Sequence, residues 1–196
     1  MSFRKEIKLI LNRRNSFDFK KMIIKKGAIE IYPKRKISSL YFDNAKKQTH
    51  VDSEEGALPR KKIRIRTYPN DENIRYYLEK KISSPEGKYK SSKRISDTYY
   101  NKMIKQGFFD KMYGILKPLL HVEYLREYYK LKNFRITIDE KVNYKIFKKK
   151  IVRVDSNSVA EIKFTNKENE NEIINSFTNK ITRFSKYSNG INFMKL

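Results

Sequence analysis

Charged residues two positions apart recur along this chain, each pair separated by an aliphatic residue: Glu6-Ile7-Lys8, Lys62-Ile63-Arg64-Ile65-Arg66, Arg135-Ile136-Thr137-Ile138-Asp139 and Glu161-Ile162-Lys163, with Glu79 and Lys81 at the same spacing. Arginine presents a planar fork of donors that matches phosphate oxygens, and lysine presents a compact charge, so cations in this pattern suit a dense polyanion. The carboxylates among them, Glu6, Glu79 and Glu161, would repel phosphate unless a cation intervened. Mg²⁺ and Mn²⁺ accept carboxylate and phosphate oxygen together, so at least one of these glutamates reads as a metal ligand. Thiolate sites are excluded because the chain has no cysteine, and His50 and His121 have no partner at ligand spacing.

Such residues need rigid elements to hold them. A period of two is the strand signature, because successive side chains point to opposite faces. Each charged segment therefore reads as a strand with one charged and one apolar face. Ser38 to Phe42, Leu119 to Tyr128 and Val142 to Phe147, rich in aromatic and β-branched residues, are further strand candidates, for roughly eight in all. Helices are expected over Ser16 to Lys26, Ser96 to Gln106 with Ser96 as N-cap and Gly107 past the end, Phe109 to Leu116, and Glu170 to Thr182. Loops are expected at Asp52 to Arg60, Pro69 to Asn73 and Ser83 to Gly87. The fold class is mostly β (α+β).

With 46 Lys and Arg against 22 Asp and Glu, the formal charge is +24 in 196 residues, which points to a nucleic acid, polyphosphate, nucleotide or anionic membrane as partner. The bias toward Lys, Asn and Ile also suits an AT-rich genome, a reading in which many surface lysines are simply solvated. The absence of cysteine fits a reducing compartment. No signal peptide and no apolar run of about 18 residues is evident, so a soluble cytoplasmic protein without a transmembrane segment is expected. No repeat or linker divides the chain, and one domain over residues 1–196 is expected.

On an ordinary half-buried sheet, charged faces meet water. Here Arg, Lys and Glu crowd onto strand after strand. Eight strands closed into a barrel enclose a space that can hold a ligand, and inward charged faces would leave the outer apolar faces to be covered by helices. The expected architecture is an eight-stranded antiparallel β-barrel tunnel with peripheral helices.

The segments Arg4-Lys5-Glu6-Ile7-Lys8, Ser39-Leu40-Tyr41-Phe42-Asp43, Lys62-Ile63-Arg64-Ile65-Arg66, Leu78-Glu79-Lys80-Lys81, Tyr124-Leu125-Arg126, Arg135-Ile136-Thr137-Ile138-Asp139, Glu161-Ile162-Lys163 and Phe184-Ser185-Lys186-Tyr187 resemble, in order and interval, the VTC (vacuolar transporter chaperone) polyphosphate polymerase domain. That family belongs to the CYTH-like triphosphate tunnel metalloenzymes. The resemblance implies a transferase that moves the γ-phosphoryl of ATP to inorganic polyphosphate, with Mn²⁺ or Mg²⁺ as cofactor. It implies catalytic wall residues Lys8, Arg64, Arg66, Lys81, Arg126, Arg135 and Lys163, with Lys62 and Lys90 or Lys93 as further phosphate contacts. It also implies that Ser185 and Lys186 hold the chain at the tunnel end, and that Glu161, with Glu6, is the metal ligand. Arg4 stands where hydrolytic relatives carry a first glutamate, which favours orienting phosphates over activating water. The short stretch after Lys186 implies a reduced closing helix. Eukaryotic relatives work beside membrane spans, so a separately encoded membrane partner is one expectation.

The plainer readings are an exposed strand pair for Arg64 and Arg66, a Glu161–Lys163 salt bridge, a lysine partner for Glu6, and core positions for Tyr41, Tyr68 and Tyr124. The rival functions are a triphosphatase or polyphosphatase of the same fold and a non-catalytic module binding polyphosphate or nucleic acid. Nucleic acid is the less favoured ligand, because the motifs place paired charges on strand faces at intervals across the whole chain, whereas RNA binders more often cluster aromatics on one sheet.

Overall fold

The computed structural model describes residues 4–165 and 181–195. In chain order the elements are β1 (Arg4–Leu11), α1 (Arg13–Lys25), β2 (Ile29–Asp43), α2 (Gln48–Glu55), β3 (Arg60–Thr67), β4 (Tyr76–Ser84), β5 (Gly87–Ile95), α3 (Asp97–Gln106), β6 (Phe108–Asp110), β7 (Gly114–Leu131), β8 (Phe134–Ile146), β9 (Val152–Val154), β10 (Ser158–Thr165) and α4 (Lys186–Phe193). The main hydrogen-bonded path has eight strands in the order β1-β10-β8-β7-β2-β3-β4-β5, with β6 and β9 as short additions on β7 and β8. The ladders β1·β10, β10·β8, β2·β3, β3·β4 and β4·β5 are antiparallel. No ladder joins β1 to β5 among the described residues.

The chain divides into two compact units. One comprises Met1–Arg35, Tyr124–Val142 and Val154–Phe184; the other comprises Lys36–Glu123, Asn143–Arg153 and Ser185–Leu196. In the first, the aliphatic members of each alternating segment, Ile7, Leu9, Ile136, Ile138 and Ile162, form one core with Phe19 and Ile23 of α1. Each such side chain contributes about 1.5–3 kcal/mol when fully buried, so Phe19 and Ile23 suffice to hold a helix against the apolar face. In the second, Leu40, Phe42, Ile63 and Ile65 pack with Met103 of α3. The apolar faces of the charged strands are thus covered by helices, as the alternation requires.

Several expectations need correction. Residues 109–116 form the β6–β7 hairpin rather than a helix: Phe109 pairs with Ile115, and Gly114 takes a φ of +71° at the turn. Arg135 to Asp139 and Val142 to Phe147 are not two strands but parts of β8, which ends at Ile146, and the eighth place on the path is filled by β5, which runs through Gly87-Lys88-Tyr89-Lys90. Helix α1 starts earlier than expected because Asn12 accepts the amide of Asn15 at 2.8 Å. Helix α2 occupies part of the expected loop at Asp52, and the short stretch from Lys186 onward forms the eight-residue helix α4. The expected helix from Glu170 to Thr182 lies outside the described residues except for its last two positions.

Candidate phosphate-binding clusters

In the second unit, the pairing of β3 with β4 sets Arg64 opposite Glu79 and Lys62 opposite Lys81. Glu79 is 3% exposed. Its Oε2 accepts from Arg64 Nε at 2.8 Å and Nη2 at 2.7 Å, its Oε1 accepts from Lys90 Nζ at 2.7 Å, and Arg66 stands 3.6 Å away. Burial alone would raise the Glu79 pKa, but Arg64, Arg66 and Lys90 together hold it down to about 2. Burial pushes the Lys90 ammonium down from its ordinary value, and Arg66 and Arg64 add to that against the opposing pull of Glu79. Cations packed this closely gain when a further anion arrives.

The remaining donor of Arg64, Nη1, donates to Tyr41 Oη at 2.6 Å. Tyr41 stacks on Tyr187 of α4, with ring centroids 5.0 Å apart and planes 21° from parallel. Tyr187 donates to the buried Asp43, which also accepts from Thr49 Oγ1 at 2.8 Å and from the amides of Asn44, Thr49 and His50. Asp43 therefore satisfies the start of α2 and anchors α4 with one carboxylate. The α4 N-cap, Ser185, accepts from Ser188 N at 3.3 Å and from Lys62 Nζ at 2.8 Å. Lys186 follows it as the first residue of α4 and is half-buried, whereas Lys81 and Lys93 are exposed.

In the first unit, β1 and β10 pair Lys8 with Glu161 and Glu6 with Lys163, and β10 and β8 pair Glu161 with Thr137 and Lys163 with Arg135. Glu161, 8% exposed, meets Lys163 Nζ at 2.8 Å. Burial would raise its pKa, yet Lys163, Arg126 and Lys8 hold it well below the usual carboxylate range. Arg126 makes a two-pronged contact with Asp139, Nη2 to Oδ2 being 2.7 Å. Burial opposes its charge, but Asp139 and the nearby Glu161 keep it firmly protonated. Lys8 lies 2.9 Å from Glu6 and donates to the Phe184 carbonyl at 2.9 Å. Arg135 is exposed, its guanidinium 5.9 Å from the Tyr128 ring centroid.

Glu161 and Glu6 share one face of β10 and β1 as diagonal neighbours, both reached by Lys163 at 2.8 and 3.7 Å. Beside them the buried Thr137 hydroxyl has no hydrogen-bond partner among the described residues. No group of three or more His, Cys, Asp or Glu suited to a metal occurs among the described residues. Two carboxylates with a hydroxyl are a donor set that fits a hard divalent cation completing its shell with phosphate and water oxygen.

A match to the VTC domain covers residues 3–115 and 109–195. The chain belongs to the VTC domain family. No curated protein matched the sequence significantly. Among solved structures, the VTC domain is similar to a candidate adenylate cyclase from Bacillus halodurans, with a TM-score of 0.60, 14% identity and 94% of each chain covered. A candidate adenylate cyclase from Vibrio parahaemolyticus gives a TM-score of 0.57 at 14% identity, covering 97% of this chain and 98% of that one. A candidate adenylyl cyclase from Hippeastrum, described as having a dominant triphosphatase activity, gives 0.55 at 15% identity, covering 97% and 96%. At these identities the likenesses show a shared fold, a mostly antiparallel β architecture with the helices on its apolar faces.

The structure gathers Arg64, Arg66 and Lys90 around Glu79, Lys62 at Ser185, and Lys8, Arg126 and Lys163 near Glu161 and Glu6. It leaves Lys81, Lys93 and Arg135 exposed. Sequence reasoning missed Glu79 as the hub of the first group, and Asp43 and Tyr187 as its support. The signal for Glu79 was present in the two-residue spacing to Lys81, which puts both on one face of β4. Nothing local marks Asp43 and Tyr187 as partners, since 144 positions separate them.

Proposed function

We propose that this VTC domain is a metal-dependent polyphosphate polymerase that transfers the γ-phosphoryl of ATP to a polyphosphate chain in its basic tunnel. The observation that carries this reading is the make-up of the Glu161 cluster: three buried or half-buried cations, Lys8, Arg126 and Lys163, stand with only two proposed metal-binding carboxylates, Glu161 and Glu6. Such a site is rich in groups that orient phosphate and poor in groups that activate water. In the proposed reaction a terminal oxygen of the acceptor chain attacks the γ-phosphorus, the β–γ bridging P–O bond breaks, and the electron pair leaves on ADP. No proton need move, so catalysis rests on alignment and charge neutralisation.

Arg64, Arg66 and Lys90 would bind phosphoryl oxygens while Glu79 keeps them aligned between turnovers. Lys62, Ser185 and Lys186 would hold a further phosphate. Lys8, Arg126 and Lys163 would neutralise charge on the transferring group, with Lys81, Lys93 and Arg135 as outlying cations that attract the polyanion. When bound at Glu161 and Glu6, Mn²⁺ or Mg²⁺ supplies charge neutralisation for phosphate oxygens.

A triphosphatase is the second reading, favoured by the activity reported for the Hippeastrum neighbour. Incubation with ATP and Mn²⁺, beside a Glu161→Gln control, separates them: long phosphate chains with ADP support the polymerase, and free phosphate without chains supports the hydrolase. Tight polyphosphate binding with neither product would leave a binding module, and an equal preference for oligonucleotide would count against a phosphate tunnel.

A further inference from the structure

The β6–β7 hairpin presents an apolar tip that the phosphate chemistry does not use. Phe109 and Ile115 are cross-strand partners and are 71% and 61% exposed, and Met112 at the turn is 41% exposed. This exposure is built in. Phe108, Tyr113 and Leu116 on the other face are packed in the core, and Tyr113 Oη donates to Asp52 at 2.8 Å. Asp110, the only carboxylate between Thr98 and Val122, is turned inward, where it accepts from Lys61 Nζ at 2.9 Å and from Met112 N at 2.9 Å. The lysines of the hairpin and its flanking sequence, Lys102, Lys105, Lys111 and Lys117, are all exposed.

A second segment of the same kind lies beside it. Phe147 donates its amide to the Leu119 carbonyl at 2.8 Å and packs in the same core as Phe108 and Leu116. The turn that follows, Lys148-Lys149-Lys150-Ile151-Val152-Arg153, is exposed throughout, with Ile151 at 66% and Val152 at 51%. It contains no carboxylate.

We infer that the β6–β7 tip and the β8–β9 turn together dock this protein on the surface of an anionic phospholipid bilayer. Large apolar side chains held outward by a packed opposite face, in a segment whose exposed charges are lysines, match a bilayer interface, where the apolar groups enter the acyl boundary and the lysines meet phosphate headgroups. Charge decides the occupant: an apolar partner surface would not call for a cationic rim, and a soluble polyanion would not call for Phe109, Met112 and Ile115. The surface goes beyond the proposed reaction, because it would hold the protein where product or partner meets a membrane.

Because the chain has no cysteine, Met112→Cys carries a single polarity-sensitive fluorophore, and Asn70→Cys in the β3–β4 loop serves as the control. Vesicles of phosphatidylcholine with phosphatidylglycerol should shift the Met112→Cys probe to the blue and leave the control unshifted, while phosphatidylcholine alone shifts neither. Phe109→Ser with Ile115→Ser should weaken co-sedimentation with the anionic vesicles at least about tenfold at physiological salt. Unchanged tripolyphosphate affinity and melting temperature in that variant would show that it folds. The inference is overturned if the double variant sediments as the parent does, since its charge alone would then explain binding. It is also overturned if the probe does not shift on vesicles, or if it shifts instead on self-association in sedimentation. None of these outcomes depends on whether ATP yields polyphosphate.

Discussion

Glu79 and Glu161 are both buried glutamates ringed by cations, yet their surroundings differ. Glu79 meets the fork of Arg64 through Nε and Nη2 on one oxygen and Lys90 on the other, so one of its oxygens is held by a planar guanidinium. Glu161 meets Lys163 at 2.8 Å and feels the charges of Arg126 and Lys8, and the Thr137 hydroxyl opposite is unsatisfied among the described residues. A guanidinium fork fixes its partner in a plane, whereas a lysine on a flexible stem can swing away. The first arrangement is a keel for cations, and the second is the one to which the proposed function assigns the metal.

The largest expected effect separates the two outright. Glu161→Gln should lower turnover of ATP by about a thousandfold, because it removes a charged oxygen donor from the proposed metal site, while tripolyphosphate affinity measured without metal changes little. A loss of affinity equal to the loss of turnover would sink the distinction.

Glu79→Gln should instead act on stability. Removing one partner of a buried ionic cluster costs about 3–5 kcal/mol, which for a chain of this size lowers the melting temperature by about 10 °C. Adding tripolyphosphate should recover more stability in this variant than in the parent, because the stranded cations regain an anion; calorimetry with and without ligand checks it.

The pH response sharpens the same contrast. Glu79 is more acidic in the folded chain than its ordinary 4.5, so its contribution is fully present above pH 4.5 and is lost as pH falls toward 2. Glu127, where burial opposes ionisation but Lys20, Tyr129 and Lys34 hold the pKa down to about 2, titrates in the same window. Acid unfolding followed by circular dichroism should therefore be steep between those limits, and shallower in Glu79→Gln.

The smallest effect concerns support. Tyr187→Phe keeps the stack on Tyr41 but deletes the hydroxyl that reaches Asp43, and should cost about 1–2 kcal/mol with a severalfold weaker affinity for tripolyphosphate. Unaltered affinity with reduced stability would restrict Asp43 to a role in holding the helix.

The alternation in Glu6-Ile7-Lys8, Ile63-Arg64-Ile65-Arg66 and Glu161-Ile162-Lys163 made the strands and their two faces legible, because a period of two is imposed by the backbone itself. Ser96 and Gly107 announced α3 for an equally local reason. The β6–β7 hairpin was misread as a helix because Phe109, Met112, Tyr113 and Leu116 fall at helical spacing, and only their pairing across the turn decides otherwise. β5 was hidden by its exposed, charged residues, whose strand state depends on the ladder with β4. The grouping around Glu79 needed cross-strand register, which no single segment contains.

The tie between Tyr187 and Asp43 also has a temporal meaning. The ring of Tyr41 receives its stacking partner, and Lys62 its hydroxyl, only when residues 185–187 have been synthesised, long after β2 and β3. A nascent chain halted before that point would carry Arg64 and Glu79 but lack the brace behind them, so this cation group is completed only after residue 187 has emerged.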